Sequence, residues 1–327
     1  MTGVAAIWIL AIGLVACTDA PEDTGTVDDT EIQDTSTQGL APPAGDPATV
    51  ELAGECPMES HIGAFNVADY GDYTIAEGSV SDAIVPVTVL TPGTAAGDCQ
   101  LFKRENPFCE GGCESDETCG LDGLCVLYPS SLNVGQVTVA GLVRDVVMDP
   151  IQPGDKYFDT SLPQPAANSG DLLQLRVENS DYGNFDLHGV AVEPLVLPQG
   201  SLVLEEGKDL TVHWTASPGR ARVEVRLSID QHGASPSTLI CDFEDDGEGL
   251  VPAAAVDALV VAGVTGFPNG SLSRRTVDRA EIDPGCVDLV TQSRRNPEVR
   301  VAGYTPCTSD EDCPDGLTCN QAIEICE

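Results

Sequence analysis

Residues 210–230 read LTVHWTASPGRARVEVRLSID. Leu210, Val212 and Trp214 alternate with Thr211, His213 and Thr215; after Ala216-Ser217-Pro218-Gly219, which is turn chemistry, Val223, Val225, Leu227 and Ile229 alternate with Glu224, Arg226 and Ser228. A period of two sends one set of side chains to a core and the other to water, so each run reads as a half-buried strand. The two runs are expected to form a hairpin with Trp214 in the core. Working outward, further strands are expected at 65–67, 73–76, 137–140, 172–177, 185–190, 239–243 and 299–302. One short helix is expected from Pro252 through PAAAVDALV, because a proline ring suits the first helical turn. Short strands at close spacing predict an all-β chain of two β-sandwich domains, 52–197 and 198–303.

The 327 residues fit two domains better than one core, and 33 Gly with 23 Pro fit many turns. Acidic residues number 53 against 15 Lys plus Arg, a formal charge of −38, and no cation precedes Lys103. That balance excludes a nucleic-acid partner, since phosphate affinity needs clustered cations. It equally excludes loose electrostatic attachment to an anionic membrane. An apolar fraction of 42% is too high for a wholly disordered chain.

Residues 1–16, MTGVAAIWILAIGLVA, are uncharged and too short to span a bilayer, so they read as an export signal. Leu14-Val15-Ala16-Cys17 resembles the lipobox of bacterial lipoproteins. The resemblance implies a lipidated Cys17 as mature N-terminus, carrying acyl chains such as palmitate that hold it in a membrane; the alternative is ordinary signal cleavage with Cys17 incidental. Thr18 after the cysteine, rather than Asp, implies the Gram-negative outer membrane by that family's sorting rule, with the body facing the periplasm or the cell surface. The following acidic stretch, within 17–51, has no opposing cation and reads as a disordered, self-repelling linker.

Twelve cysteines remain: Cys56, Cys99, Cys109, Cys113, Cys119, Cys125, Cys241, Cys286, Cys307, Cys313, Cys319 and Cys326. An even count in an exported chain predicts disulfides, and neither cluster contains the paired CxxC usual in zinc sites. CEGGCESDETCGLDGLC (109–125) and CTSDEDCPDGLTCNQAIEIC (307–326) share a Cys-x5-Cys-x5 core and resemble the Dickkopf N-terminal cysteine-rich module, and more distantly half of a whey-acidic-protein module. The first would be an insertion in the first sandwich; the second forms a C-terminal unit, 304–327. Pairing first-to-third and second-to-fourth is expected in each. Relatives of the module bind protein partners, whereas segments of this size also serve as crosslinked staples. Cys56–Cys99 and Cys241–Cys286 are the economical remaining pairs. The run LTVHWT, RVEVRLSI and ICDFEDDGEGLVP resembles an immunoglobulin-like domain of uncharacterised Gram-negative lipoproteins.

Catalytic constellations are not evident: His61, His188, His213 and His232 are dispersed, and no HExxH, GxSxG, Walker loop or GxGxxG occurs. His188 and His213 are expected on strand surfaces. Asp242-Phe243-Glu244-Asp245-Asp246-Gly247 imitates half a calcium loop, but Ala253 stands where a bidentate Glu belongs. Arg274, Arg275, Arg279, Arg294, Arg295 and Arg300 concentrate the scarce positive charge and are expected to pair with carboxylates or face an anionic partner. The expectation is a noncatalytic, membrane-anchored lipoprotein for adhesion, scaffolding or ligand binding, with an envelope or extracellular protein partner and neither cofactor nor metal. The rival readings are an envelope hydrolase with a loop-built site and a calcium-dependent adhesion protein.

Overall fold

The computed structural model describes residues 40–104, 109–178, 180–229 and 237–327; the leader, Cys17, the acidic tract as far as residue 39, and His232 lie outside the described residues. The described chain is nearly all β. Its one described α-helix, Ala253–Val261, takes Pro252 as N-cap, with Val256 and Leu259 buried. Val137–Ala140, Leu172–Val177 and Phe185–Val190 are strands with the expected bounds.

The largest sheet has nine strands, in the order Leu90–Ala96, Cys99–Arg104, Ser237–Glu244, Arg222–Ser228, Asn269–Glu281, Cys286–Arg295, His61–Asp69, Thr74–Val80, Tyr157–Leu162. His61–Asp69 and Cys286–Arg295 pair in parallel; the other neighbours are antiparallel. Toward the Tyr157–Leu162 edge, Phe65, Tyr157 and Leu289 pack with Leu173, Leu175 and Leu187 of a four-stranded sheet. Toward the other edge, Val225, Leu227 and Leu239 pack with Leu202, Leu204, Val212 and Leu259 from two two-stranded sheets and the helix. Two sandwiches therefore share one continuous layer, and burial of each Leu-sized side chain contributes about 1.5–3 kcal/mol.

The boundary expected at 197/198 does not divide the strands. Cys99–Arg104 from the N-terminal half pairs with Ser237–Glu244, and Cys286–Arg295 from the C-terminal half pairs with His61–Asp69. Each exchange covers a sheet edge that would otherwise present unpaired amides and carbonyls. The expected hairpin is also corrected: Leu210–His213 pairs with Glu248–Val251, while Arg222–Ser228 lies in the nine-stranded sheet. Alternation fixes which side of a strand is buried, and strands in facing layers show the same pattern as strands in a hairpin. Trp214 is in the core, at 4% exposure.

Residues 40–51, expected to belong to the free linker, are pinned to the body. The Leu40 amide donates to Asp145 and the Ala44 amide to Gln174, while Arg176 donates to the carbonyls of Ala41 and Pro42. Arg220 holds the carbonyls of Pro47 and Val50 in the same way. Backbone polar groups that would otherwise need water are thus satisfied by side chains of both halves.

The two central strands bury polar residues where alternation predicts apolar ones. Asp278 accepts the amides of Ala53 and His188, each at 2.8 Å, and Asp288 accepts the Cys56 amide at 2.8 Å. Thr276 exchanges hydrogen bonds with both backbone groups of Val190, and Ser293 accepts the Leu195 amide. These side chains act as docking points for segments that cross the sheet without joining its ladder.

Candidate functional site

All twelve cysteines among the described residues are in disulfides, leaving no described thiol. Within the modules the pairs are Cys109–Cys119, Cys113–Cys125, Cys307–Cys319 and Cys313–Cys326, first-to-third and second-to-fourth in both. The other four differ from expectation: Cys56 pairs with Cys286 and Cys99 with Cys241. Interleaving is the reason. Cys99 and Cys241 lie opposite each other on neighbouring strands, and Cys286 starts the strand beside His61–Asp69. The economical pairs, Cys56–Cys99 and Cys241–Cys286, would each stay within one half, whereas each half lends a strand to the other.

The acidic turn after Ser237–Glu244 is committed to arginines rather than open to a cation. Arg274, 1% exposed, meets Asp245 with Nε–Oδ2 at 2.7 Å and Nη2–Oδ1 at 3.0 Å. The Asp245 carboxylate also accepts the Trp214 indole N–H at 2.8 Å. Arg274 donates further to the carbonyls of Glu193, Pro194 and Thr215, so one guanidinium ties the link between the sandwiches to two turns of the second. Arg222 takes Asp242 at 2.6 Å and also binds Glu244. Nothing in the sequence distinguishes Arg274 from its neighbours; burial separates it from the group of cations in which it was expected to sit.

On the side of the nine-stranded sheet away from the cores, a groove of about 580 Å³ runs over Phe102, Ile240 and Val277. Its walls carry Arg222, Arg226 and Arg275 together with Glu55, Glu224 and Asp242. Arg226 pairs with Glu224, and Arg275 bridges Glu55 and Glu224, the latter at 2.7 Å. Every one of these guanidinium groups has an internal carboxylate, so an anionic ligand would have to displace one. The floor is apolar and the walls are charge-balanced, which suits an extended polypeptide or a mixed polar ligand better than a free phosphate.

Of the remaining cations, Arg295 pairs with Asp69 at 3.2 Å, Arg300 with Glu298 at 2.9 Å, Arg279 donates to the Glu55 carbonyl, and Arg294 to Asn296. Burial pushes the Asp69 carboxyl up, but hydrogen bonds from the Ser293 hydroxyl, the Gly71 amide and Gln164, together with the Arg295 charge, outweigh it and hold the group below its ordinary 3.8. A carboxylate with a lowered folded value stabilises above its unfolded value, and that contribution is lost as pH falls through the folded one. Asp69→Asn is therefore expected to cost about 1–3 kcal/mol at pH 7. Urea titrations from pH 7 down should show the gap from wild type closing below about pH 4; a gap independent of pH would remove the electrostatic assignment.

His61 lies 3.5 Å from Asp288, whose carboxyl is pushed up by burial, and His213 lies 3.8 Å from Glu248 on the surface. His188 departs from expectation: its strand face is covered, it is half-buried, and its Nε2 is inaccessible. Its register partner on the neighbouring strand is Gln174, which accepts the Ala44 amide.

No protein-family model matches the chain, and no curated protein matches it. Among solved structures it is similar to the FN1–FN3 domains of chicken CNTN1, at 8% identity over 67% of this chain and 69% of that one, with a TM-score of 0.18. A superposition that loose carries no argument about fold or function.

Proposed function

We propose that this chain is a noncatalytic lipoprotein, held in an outer membrane by acyl chains on Cys17. Its stapled β body would face the periplasm or the cell surface as an adhesion, scaffold or ligand-binding platform, with the second sandwich immunoglobulin-like. The observation that supports this reading most directly is the complete pairing of the twelve described cysteines into six bridges, which fits an oxidising compartment. The lipobox-like Leu14-Val15-Ala16-Cys17 supplies the anchor, and the acidic stretch between Cys17 and residue 40 supplies the spacing from the membrane. The groove over Phe102, Ile240 and Val277 is the surface offered to a ligand.

Intact-mass measurement of natively produced protein, with detergent-phase partitioning, tests the anchor. The expected mass is that of a chain starting at an acylated Cys17, and Cys17→Ala should move the protein to the aqueous phase. A native product with an unmodified N-terminus would overturn the anchored reading.

A further inference from the structure

The two cysteine modules have the same pairing and register but opposite environments. In each, the third and fourth cysteines face each other across a short ladder, Cys119↔Cys125 and Cys319↔Cys326. The next rung is Gly120 with Leu124 in the first and Asn320 with Ile325 in the second. The residues just before, Gly123 and Glu324, both have positive φ, +78° and +53°. Leu124 is thus the counterpart of Ile325.

Ile325 is 6% exposed and belongs to the second sandwich's core, with Ile323 packed against it. The Gly266 amide donates to the Ile323 carbonyl, fastening the hairpin in place. Leu124, in the same position, is 66% exposed, and Leu121, Leu127 and Tyr128 are 60%, 70% and 53% exposed. One copy of the module inserts its hairpin tip into a β-sandwich; the other holds an equivalent tip in solvent. Exposed apolar side chains gathered in so short a segment mark an interaction surface.

Charge indicates the occupant. Glu110, Glu114, Asp116, Glu117 and Asp122 surround these residues in sequence, and no Lys or Arg occurs between Arg104 and Arg144. A second copy of a chain carrying −38 would meet this rim with like charge. We propose that the first module docks, through Leu121, Leu124, Leu127 and Tyr128, onto a protein partner whose apolar contact surface is rimmed by lysine or arginine. This deepens the binding role proposed above, and it stands or falls separately from acylation at Cys17.

The test uses the full chain with its disulfides intact and a fluorescently labelled amphipathic peptide of leucine and lysine, read by anisotropy at 150 mM salt. Wild type is expected to bind it at least tenfold more tightly than a Leu121→Ser/Leu124→Ser/Leu127→Ser variant. Glu110→Lys/Asp116→Lys should weaken binding as well, whereas Leu317→Ser in the second module should leave it unchanged. A leucine–glutamate peptide should not bind. Equal affinity of the triple variant and wild type would overturn the proposal, because attraction would then come from diffuse charge alone. A wild-type dimer in sedimentation that the triple variant abolishes would overturn it too, assigning the surface to self-association. Non-reducing mass and near-ultraviolet circular dichroism establish that each variant keeps its fold.

Discussion

Arg274→Ala is expected to cost about 3–5 kcal/mol of unfolding free energy, the usual effect of removing one partner from a buried ion pair. The reason is the uncompensated Asp245 carboxylate, whose side chain is 4% exposed and would retain only the Trp214 N–H among the partners described above. The carbonyls of Glu193, Pro194 and Thr215 would lose their donor at the same time. Urea denaturation followed by tryptophan fluorescence reads both the loss and the environment of Trp214. A paired Arg274→Ala/Asp245→Asn variant removes both charges but leaves an acceptor for the indole, so it should recover at least about 1 kcal/mol relative to the summed costs of Arg274→Ala and Asp245→Asn. Strict additivity, or a single-variant cost under about 1 kcal/mol, would show that the pair is not coupled as described.

The second large effect belongs to the long-range disulfides. Cys56–Cys286 and Cys99–Cys241 join residues 230 and 142 apart in sequence. Closing such long loops restricts the unfolded chain, and replacing either pair by alanines is expected to cost about 2–5 kcal/mol. Both partners must be replaced together, because one leftover thiol invites exchange with its neighbours. Peptide mapping without reductant gives the sharper check. A fragment linking Cys56 to Cys286 is expected, and a fragment linking Cys56 to Cys99 would refute the strand exchange on which the whole architecture rests.

Strand Arg222–Ser228 was legible because Val223, Val225 and Leu227 face a core while Glu224 and Arg226 face away from it. Asn269–Glu281 was not, although it is the longest strand described, because its buried positions include Ser271, Ser273, Arg274, Thr276 and Asp278. Those residues are polar because several of them serve the backbone of crossing segments, a demand that depends on tertiary neighbours and leaves no periodic trace. Leu90–Ala96 escaped for a different reason: Pro92 and Gly93 interrupt it, which only an edge strand tolerates. The short-range disulfides followed from the repeated module, whereas the long-range ones required knowing which half lends strands to which. Periodicity also could not separate two facing layers from a hairpin, since Val212 and Val225 share one core from opposite sheets and alternate alike.

The parallel partnership of His61–Asp69 with Cys286–Arg295 has a consequence for biogenesis. A chain grows from its N-terminus, so the earlier strand has to wait for about 230 further residues before its neighbour exists. At a synthesis rate of ~5–20 residues per second the delay is roughly ten to fifty seconds. For that interval the earlier strand has one flank of unpaired amides and carbonyls, so the shared layer closes only once the C-terminal half has been made.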